Sequence, residues 1–422
     1  MTALHDRPQV GSAPASLTRH YDLVIVGGSI VGLTLASALR FSGLKLAVVE
    51  TQSPALAASR DRAYALSLVS GDIFQQLGLW SVIAPHITHF ERVCLSDANF
   101  PVVVNFRPRD LGSEAVYYAA EHRVLMAALQ ASLADSPTID YLAPASLEAV
   151  EYTPHEVRCE IVQDDQVWHC TANLIVAADG ARSRLRQQAN ISTFGWKYWQ
   201  SCITAVLAPA KPHHNIAYER FWPSGPFAIL PLPDNRCQIV WTAPHAEAEA
   251  ILKLSPEEFM AELKERYGNQ MGNLKLLSQP LMFPVRLMHS HHYVQSRLAL
   301  VGDAAHGCHP VGGQGLNMGI RDAAALAEVL ITAHQRGEAM GSLSSLKRYE
   351  HWRKRENWLI LSMTDFLNRS FSNHWLPLVW LRRLGIGLLE YVPPFKGLAL
   401  MIMTGRFGRQ PQIPLEKDLP TH

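Results

Sequence analysis

Three glycine-punctuated stretches hold the residues whose types and spacing could do chemistry. The richest is "GDAAHGCHPVGGQGLNMGIRD", Gly302 to Asp322. Asp303 follows the apolar run "RLALV", so it stands at a strand's carboxyl end, where α/β sheets bind ligands. Pro310, Gly312, Gly313 and Gly315 make a turn with little side chain, and such a backbone can lie flat against a planar ring. A helix beginning near Gly315 aims free N–H groups and a positive dipole end at that ring. This suits an anion that forms and vanishes during a reaction. A glycine-rich helix start alone does not explain why Asp303, His309, Pro310, Gln314 and Asn317 accompany it. His306 and His309 are equally consistent with hydrogen-bonded structural histidines, and neither is assigned a catalytic role.

The second stretch, "VIVGGSIVGL" (Val24 to Leu33), reads as a strand, a glycine turn and a helix start, close to the dinucleotide fingerprint G-x-G-x-x-G. Gly27 supplies the tight turn, Ser29 stands where the middle glycine lets a pyrophosphate approach, and Gly32 lets helix and strand pack. Serine adds only a hydroxymethyl group, and the helix N-terminus still offers N–H donors to a phosphate. Glu50, 18 residues beyond Gly32, ends the next strand where an acid would accept hydrogen bonds from a ribose; an exposed strand-end carboxylate is the alternative. The third stretch, "ANLIVAADGARSRLR", empties a buried strand into Asp179-Gly180 and then Arg182, Arg184 and Arg186. Asp-Gly is also a common turn pair, so these residues alone leave its role open.

The elements that must position these residues follow from periodicity. Residues 22 to 50 read strand, helix, strand, a βαβ unit with parallel pairing and a right-handed crossover. The chain turns β-like from Val93 to Phe106. It becomes helical over Glu121 to Asp135, with Val124, Leu125, Ala128, Leu129 and Ser132 on one face. Between Ile203 and Pro284 lie several β-like runs and one polar helix, where Ser255 and Glu258 form a capping box. "GLNMGIRDAAALAEVLITAHQRG" is a helix ended by Gly337. The nucleotide-type strands are spread along the whole chain. The expected fold is α/β, a Rossmann-like nucleotide-binding domain with an inserted mixed β-sheet substrate domain and a C-terminal helical region. The first domain takes residues 20–85, 111–190 and 286–345, the second 86–110 and 191–285, and the helical region 346–422.

With 38 basic and 37 acidic residues among 422, no net field draws in nucleic acid, and no aromatic-basic run resembles a single-strand platform. The six cysteines, Cys94, Cys159, Cys170, Cys202, Cys237 and Cys308, lie far apart without C-x-x-C or zinc spacing. They read as reduced thiols of a cytoplasmic protein, with no metal site. The first twenty residues lack an apolar run of signal-peptide length and read as a disordered leader. The apolar region Trp375 to Thr404 is interrupted by Arg382, Arg383, Glu390 and Lys396 and broken by Pro377, Pro393 and Pro394. It falls short of the roughly 18 uncharged residues of a membrane span.

In order and content the three motifs resemble the flavoprotein aromatic hydroxylases of the p-hydroxybenzoate hydroxylase type. "HPVGGQGLNMGIRD" (His309 to Asp322) matches the signature of the ubiquinone-biosynthesis hydroxylases within that group. "DRAYALS" (Asp61 to Ser67), "AEHRVLMAAL" (Ala120 to Leu129) and "YERFWPSGPFAILPLP" (Tyr218 to Pro233) agree with it, and the resemblance runs from about Tyr21 to about Gly408. It implies bound FAD, with Gly27, Ser29 and Gly32 at the pyrophosphate and Glu50 on the adenosine ribose. Arg62 and Arg123 would be further cofactor contacts. Gly302 and Asp303 would meet the ribitol chain, and the loop Pro310, Gly312, Gly313, Gln314, Gly315, Leu316, Asn317 would lie against the isoalloxazine. Asp179-Gly180 matches the motif such enzymes share between FAD and pyridine nucleotide. Ser29 departs from the pattern and bears on the fine geometry of the pyrophosphate contact.

The implied reaction is aromatic hydroxylation by O2 and reduced flavin, through a hydroperoxide at flavin C4a, with NAD(P)H or a partner reductase as donor. No second strand-glycine-helix fingerprint provides a separate NAD(P) domain, so NAD(P)H would dock in the same cleft. The implied substrate is a polyprenyl phenol or quinone-type molecule. Residues 347–422 hold 12 Lys/Arg against 6 Asp/Glu between apolar segments, which fits peripheral contact with an anionic membrane, a helical cap or an oligomer interface. Partner proteins of a quinone-biosynthesis complex are a further expectation. A halogenase would carry W-x-W-x-I-P, and none occurs here. A flavin epoxidase or reductase of isoprenoids, or a non-catalytic FAD-bearing subunit, remain the alternatives.

Overall fold

The apolar runs that lead into the first two motifs are buried on both faces, and that places them at the centre of one sheet. Leu23–Ile25, Leu46–Val49, Leu174–Ala177 and Leu298–Leu300 are all buried, as strands covered by helices on each side must be. The computed structural model describes residues 19–98, 100–268 and 270–414. The expected leader lies outside these, except that Arg19 and His20 begin the first strand.

Five strands run parallel in the spatial order Leu298–Leu300, Gln166–Ala177, Arg19–Val26, Leu46–Val49, Ile139–Leu142. From Arg19–Val26 the chain winds first to one side and later to the other. A crevice therefore opens between the carboxyl ends of Arg19–Val26 and Gln166–Ala177, the switch point at which doubly wound sheets bind ligands. The strands Val157–Gln163 and Ser146–Tyr152 extend this sheet in antiparallel fashion. The helix Ile30–Leu39 packs on Gln314–Gln335. Gly319 makes that contact close, since a Cβ there would lie 2.7 Å from Cγ2 of Val31.

The sheet-rich segments assemble, among the described residues, into a nine-stranded sheet that is antiparallel apart from the pair Ile216–Trp222 and Arg92–Asp97. Its strand Leu281–Ser290 runs straight across the boundary expected at residue 286, and His306–Gly307 pairs with it. The Gly302 to Asp322 motif is thus tied into both large sheets. The polar helix forms as Pro256–Tyr267, with its capping box of Ser255 and Glu258 and with Phe259, Leu263 and Tyr267 buried.

The described residues beyond Gly341 form three helices, Leu343–Phe371, Leu376–Tyr391 and Pro393–Met403. Pro377, Pro393 and Pro394 each sit in a first helical turn, where a missing N–H is harmless. Among the described residues no single helix is long and apolar enough to cross a membrane. The last two reach that length and composition only together, and they are bent by 100°.

Candidate active site

A cavity of about 1130 Å³ starts at the crevice and ends among the C-terminal helices. Its two ends differ in chemistry. Glu50, Arg62, Asp179, Arg184 and Asp303 line the crevice end, whereas Phe106, Phe221, Leu230, Leu367 and Leu389 line the far end.

At the crevice the chain has room for backbone and little else. Gly27 has φ +111° and Gly32 stacks against it, so a Cβ on Gly32 would lie 1.9 Å from the Gly27 carbonyl oxygen. Gly32 does not line the cavity; it allows the turn that does. Ser29 lines it as the N-cap of Ile30–Leu39, and its hydroxyl makes no cap bond. The first N–H groups of this helix therefore lack a side-chain partner and face the cavity, the arrangement that binds phosphate.

Glu50 is fixed by the same turn. The Gly28 amide donates to its Oε2 at 2.8 Å and the Gln52 amide to its Oε1 at 2.9 Å, which leaves acceptor capacity toward the cavity. Across the crevice, Oδ2 of Asp179 accepts from the Arg184 amide at 2.8 Å, while its buried Oδ1 has no partner. Asp303 lines the cavity with its carboxylate exposed there.

The loop from Pro310 contributes Pro310, Gly312, Gly313, Gly315 and Leu316 to the wall. Gly312 and Gly313 hold φ of +65° and +63°, backbone that only glycine adopts freely. Helix Gln314–Gln335 then begins without a side-chain cap, so its positive end is available to a neighbouring anion.

Four of the expected cofactor residues do other work. Nε2 of Gln314 is spent on the Tyr117 hydroxyl (3.1 Å) and the carbonyls of Gly312 (3.1 Å) and Met403 (3.0 Å). The Tyr117 hydroxyl itself donates to the Met403 carbonyl, so Gln314 and Tyr117 latch the loop to the last helix. Asn317 accepts from the Ser67 amide and Ser70 hydroxyl and donates to the carbonyls of Ala65 and Gly313, which satisfies its whole amide. Gly302 is buried against Val31, and its amide donates to Asp322 at 3.2 Å. Arg123 is exposed, pairs with Glu121 at 2.9 Å and does not line the cavity, whereas Arg62 does.

Both histidines of the motif are held as structural groups. His309 is buried between Gln200 (Nε2 to Oε1, 3.3 Å) and the Val311 amide, with Tyr198 edge-on at 5.0 Å. Burial pushes its imidazolium down to about 3, so it stays neutral. His306 is buried against Asp322.

Residues 20–364 of the chain match the family described as FAD binding domain. The ubiquinone hydroxylase UbiL of Rhodospirillum rubrum is 36% identical over 96% of this chain and 94% of its own length. The 3-demethoxyubiquinol 3-hydroxylase of Escherichia coli is 33% identical over 91% of this chain and 98% of its own. The chain belongs to the FAD-dependent hydroxylases of ubiquinone biosynthesis. A solved p-nitrophenol 4-monooxygenase, PnpA of Pseudomonas putida, shares the fold of this hydroxylase with a TM-score of 0.79. Its identity is 19%, over 93% of this chain and all of its own.

The residues of the hydroxylase fit FAD. An uncapped helix end, the glycine cradle of Gly27 and Gly32, and the orphan Oδ1 of Asp179 are the features a dinucleotide would complete. Sequence reasoning did not single out Arg286, which lines the crevice and donates to the Ala181 carbonyl at 2.6 Å, nor Tyr117, which is bonded to Gln314 of the glycine loop, nor Glu219, whose charge acts on Tyr117. Glu219 lay within the quoted "YERF", but only its place on the sheet shows which way it faces.

Proposed function

We propose that this hydroxylase adds oxygen to the aromatic ring of a polyprenylated phenol or quinone precursor, with NAD(P)H as reductant. The observation that carries this reading is the continuity of the cavity, from the FAD crevice into an apolar chamber walled by Leu367, Leu389, Ala399 and Met403 of the three C-terminal helices. A phenolic head would sit at the glycine loop and an isoprenoid tail would run among these helices.

In this reading Ser29 and the helix end behind it hold the FAD pyrophosphate, Glu50 the adenosine ribose and Asp303 the ribitol chain. The backbone of Pro310 to Leu316 backs the ring, and the uncapped helix at Gln314 stabilises negative charge on it. Bound FAD, once reduced, supplies the activated oxygen from O2. The chain itself orients the ring and excludes water, which the apolar far end does. The nine-stranded sheet, which takes most of its strands from residues 86–110 and 191–285 and is completed by the end of Leu281–Ser290 and by His306–Gly307, is the substrate side of the enzyme, and the parallel sheet is the cofactor side.

The outer faces of Leu376–Tyr391 and Pro393–Met403 expose Trp375, Leu376, Trp380, Leu384, Tyr391 and Phe395. Charge contributes less there than composition alone implies. Arg382 is buried on Asp97 at 2.9 Å, and Lys396 pairs with Glu390 at 3.1 Å. The apolar aromatic face is therefore what supports peripheral membrane contact, next to the chamber through which the tail would pass.

The test is to follow NAD(P)H oxidation and O2 uptake by the purified protein with and without prenylated phenols, and to analyse the lipid quinones of a deletion strain. The reading requires substrate-stimulated O2 uptake and accumulation of an intermediate lacking one ring oxygen; unchanged quinones would overturn it. Flotation with anionic vesicles should fall for a Trp375→Ser, Trp380→Ser double variant, and equal flotation would remove the membrane contact.

A further inference from the structure

On the strand Ile216–Trp222, Ala217, Glu219 and Phe221 share one face by alternation and line the cavity, and Tyr218 reaches it as well. Glu219 is flanked in register by Leu95 on one neighbouring strand and Ala228 on the other, and both line the cavity. Of the cavity-lining residues on these three strands, Glu219 alone carries a charge. Among the described residues it makes no hydrogen bond or ion pair. An unpaired carboxyl in an apolar chamber is costly to keep, and a structural role would show a partner.

We infer that Glu219 is the base that takes the hydroxyl proton of the phenolic substrate during ring hydroxylation, an inference that rests on the functional reading above. The phenol O–H bond breaks and its proton moves to a Glu219 carboxylate oxygen. The electron pair left on the phenolic oxygen activates the ring carbon that forms the new C–O bond. One atom of O2 enters that bond and the other leaves as water, with the electrons supplied by NAD(P)H through FAD. The ring carbon then gives up its hydrogen as a proton to solvent, Glu219 returns its own proton to the original oxygen, and the ring is aromatic again.

The surroundings suit this task. Burial pushes the Glu219 carboxyl up to about 8, nearer to a phenol at about 10 than an ordinary carboxylate is, and a base matched to its acid transfers protons efficiently. The titratable groups that feel its charge are Tyr117, in the segment before Tyr118–Glu121, and Cys202, on the neighbouring strand Thr193–Pro209. Burial raises both, the Cys202 thiol to about 12 and the Tyr117 phenol further, so both stay neutral and neither substitutes for Glu219. Tyr218 also lines the cavity, and burial raises its phenol as well. Arg62, which lines the cavity, is the cation that acts on Cys202.

The experiment uses the FAD-loaded enzyme, NAD(P)H and a 2-prenylphenol, comparing Glu219→Gln and Glu219→Asp with wild type. For Glu219→Gln we expect turnover to product to fall on the order of 100-fold. KM should change little, most NAD(P)H should be diverted to hydrogen peroxide, and the rise of rate with pH near 8 should vanish. Glu219→Asp should restore part of the coupling and the pH limb. Wild-type coupling and pH profile in Glu219→Gln would overturn the assignment while leaving the functional reading intact. So would loss of FAD from both variants, since it would place Glu219 in the fold instead. If wild type itself hydroxylates no prenylphenol, the functional reading fails, and this inference with it.

Discussion

His306 and Asp322 lie 2.5 Å apart, both buried, one at each end of the segment that carries the glycine loop. Asp322 gathers more than this one partner. Its carboxylate also accepts from the Gly302 amide at 3.2 Å, Arg353 Nε at 2.8 Å and Asn357 at 3.0 Å. Burial disfavours its charge, but His306 and Arg353 outweigh that and hold the carboxyl well below the usual range. The last residue of the "HPVGGQGLNMGIRD" signature is thus a brace between the turn Gly302–His306 and the helix Leu343–Phe371.

Asp322→Ala should therefore destabilise the protein strongly, because Arg353 stays buried without its partner. Removing one member of such a pair costs about 3–5 kcal/mol. Denaturant unfolding of the holoenzyme would measure it. A lowered carboxyl stabilises the fold above its unfolded pKa, near 4, and this contribution is lost as pH falls below that. Wild type should accordingly lose more stability than Asp322→Ala on acidification.

Ser29→Leu should empty the protein of FAD. The side chain would project over the uncapped helix end where Ser29 lines the cavity. Flavin absorbance of the purified variant is the measurement, and full FAD content would show that this turn does not hold the pyrophosphate. Gly32→Ala should be worse for the fold itself, since its Cβ meets the Gly27 carbonyl.

Arg62 and Arg123 should separate. Arg62 faces the cavity, whereas Arg123 is held on Glu121 outside it. Arg62→Ala is expected to weaken FAD binding roughly tenfold, the effect of about 1.4 kcal/mol, and Arg123→Ala less than half as much in free energy. Titration of apoprotein with FAD decides, and an equal or larger effect of Arg123→Ala would mean that its side chain turns inward when FAD binds.

Glu219 makes a stability prediction separate from catalysis. The folded protein keeps this proton up to about 8, against 4.5 for an ordinary glutamate. The unfolded chain releases it earlier, so its burial erodes stability as pH rises from about 4.5 to 8 and no further above that. Glu219→Gln should thus gain in Tm over wild type progressively across this window and then hold a constant lead. A difference independent of pH would show that the carboxyl is not buried in its protonated form.

What the sequence determined by itself was the local backbone chemistry. Gly27, Ser29 and Glu50 could be read because a glycine turn, a helix start and a strand end lie within a few residues of one another, and their conformations follow from residue type. Asp179 and the Pro310 to Leu316 loop were legible for the same reason. The tertiary structure decided what depends on distant partners. Gln314 looked like a cofactor contact by sequence, yet its amide is taken by Tyr117, 197 residues away, and by Met403. Arg62 and Arg123 were equivalent until packing put one inside the cavity and the other on Glu121. Glu219 was one acid in a β-like run, and only the alignment of three strands through Leu95, Glu219 and Ala228 made it the one acid these strands turn to the cavity. Desolvation is set by everything that surrounds a group, and those surroundings are assembled from the whole chain.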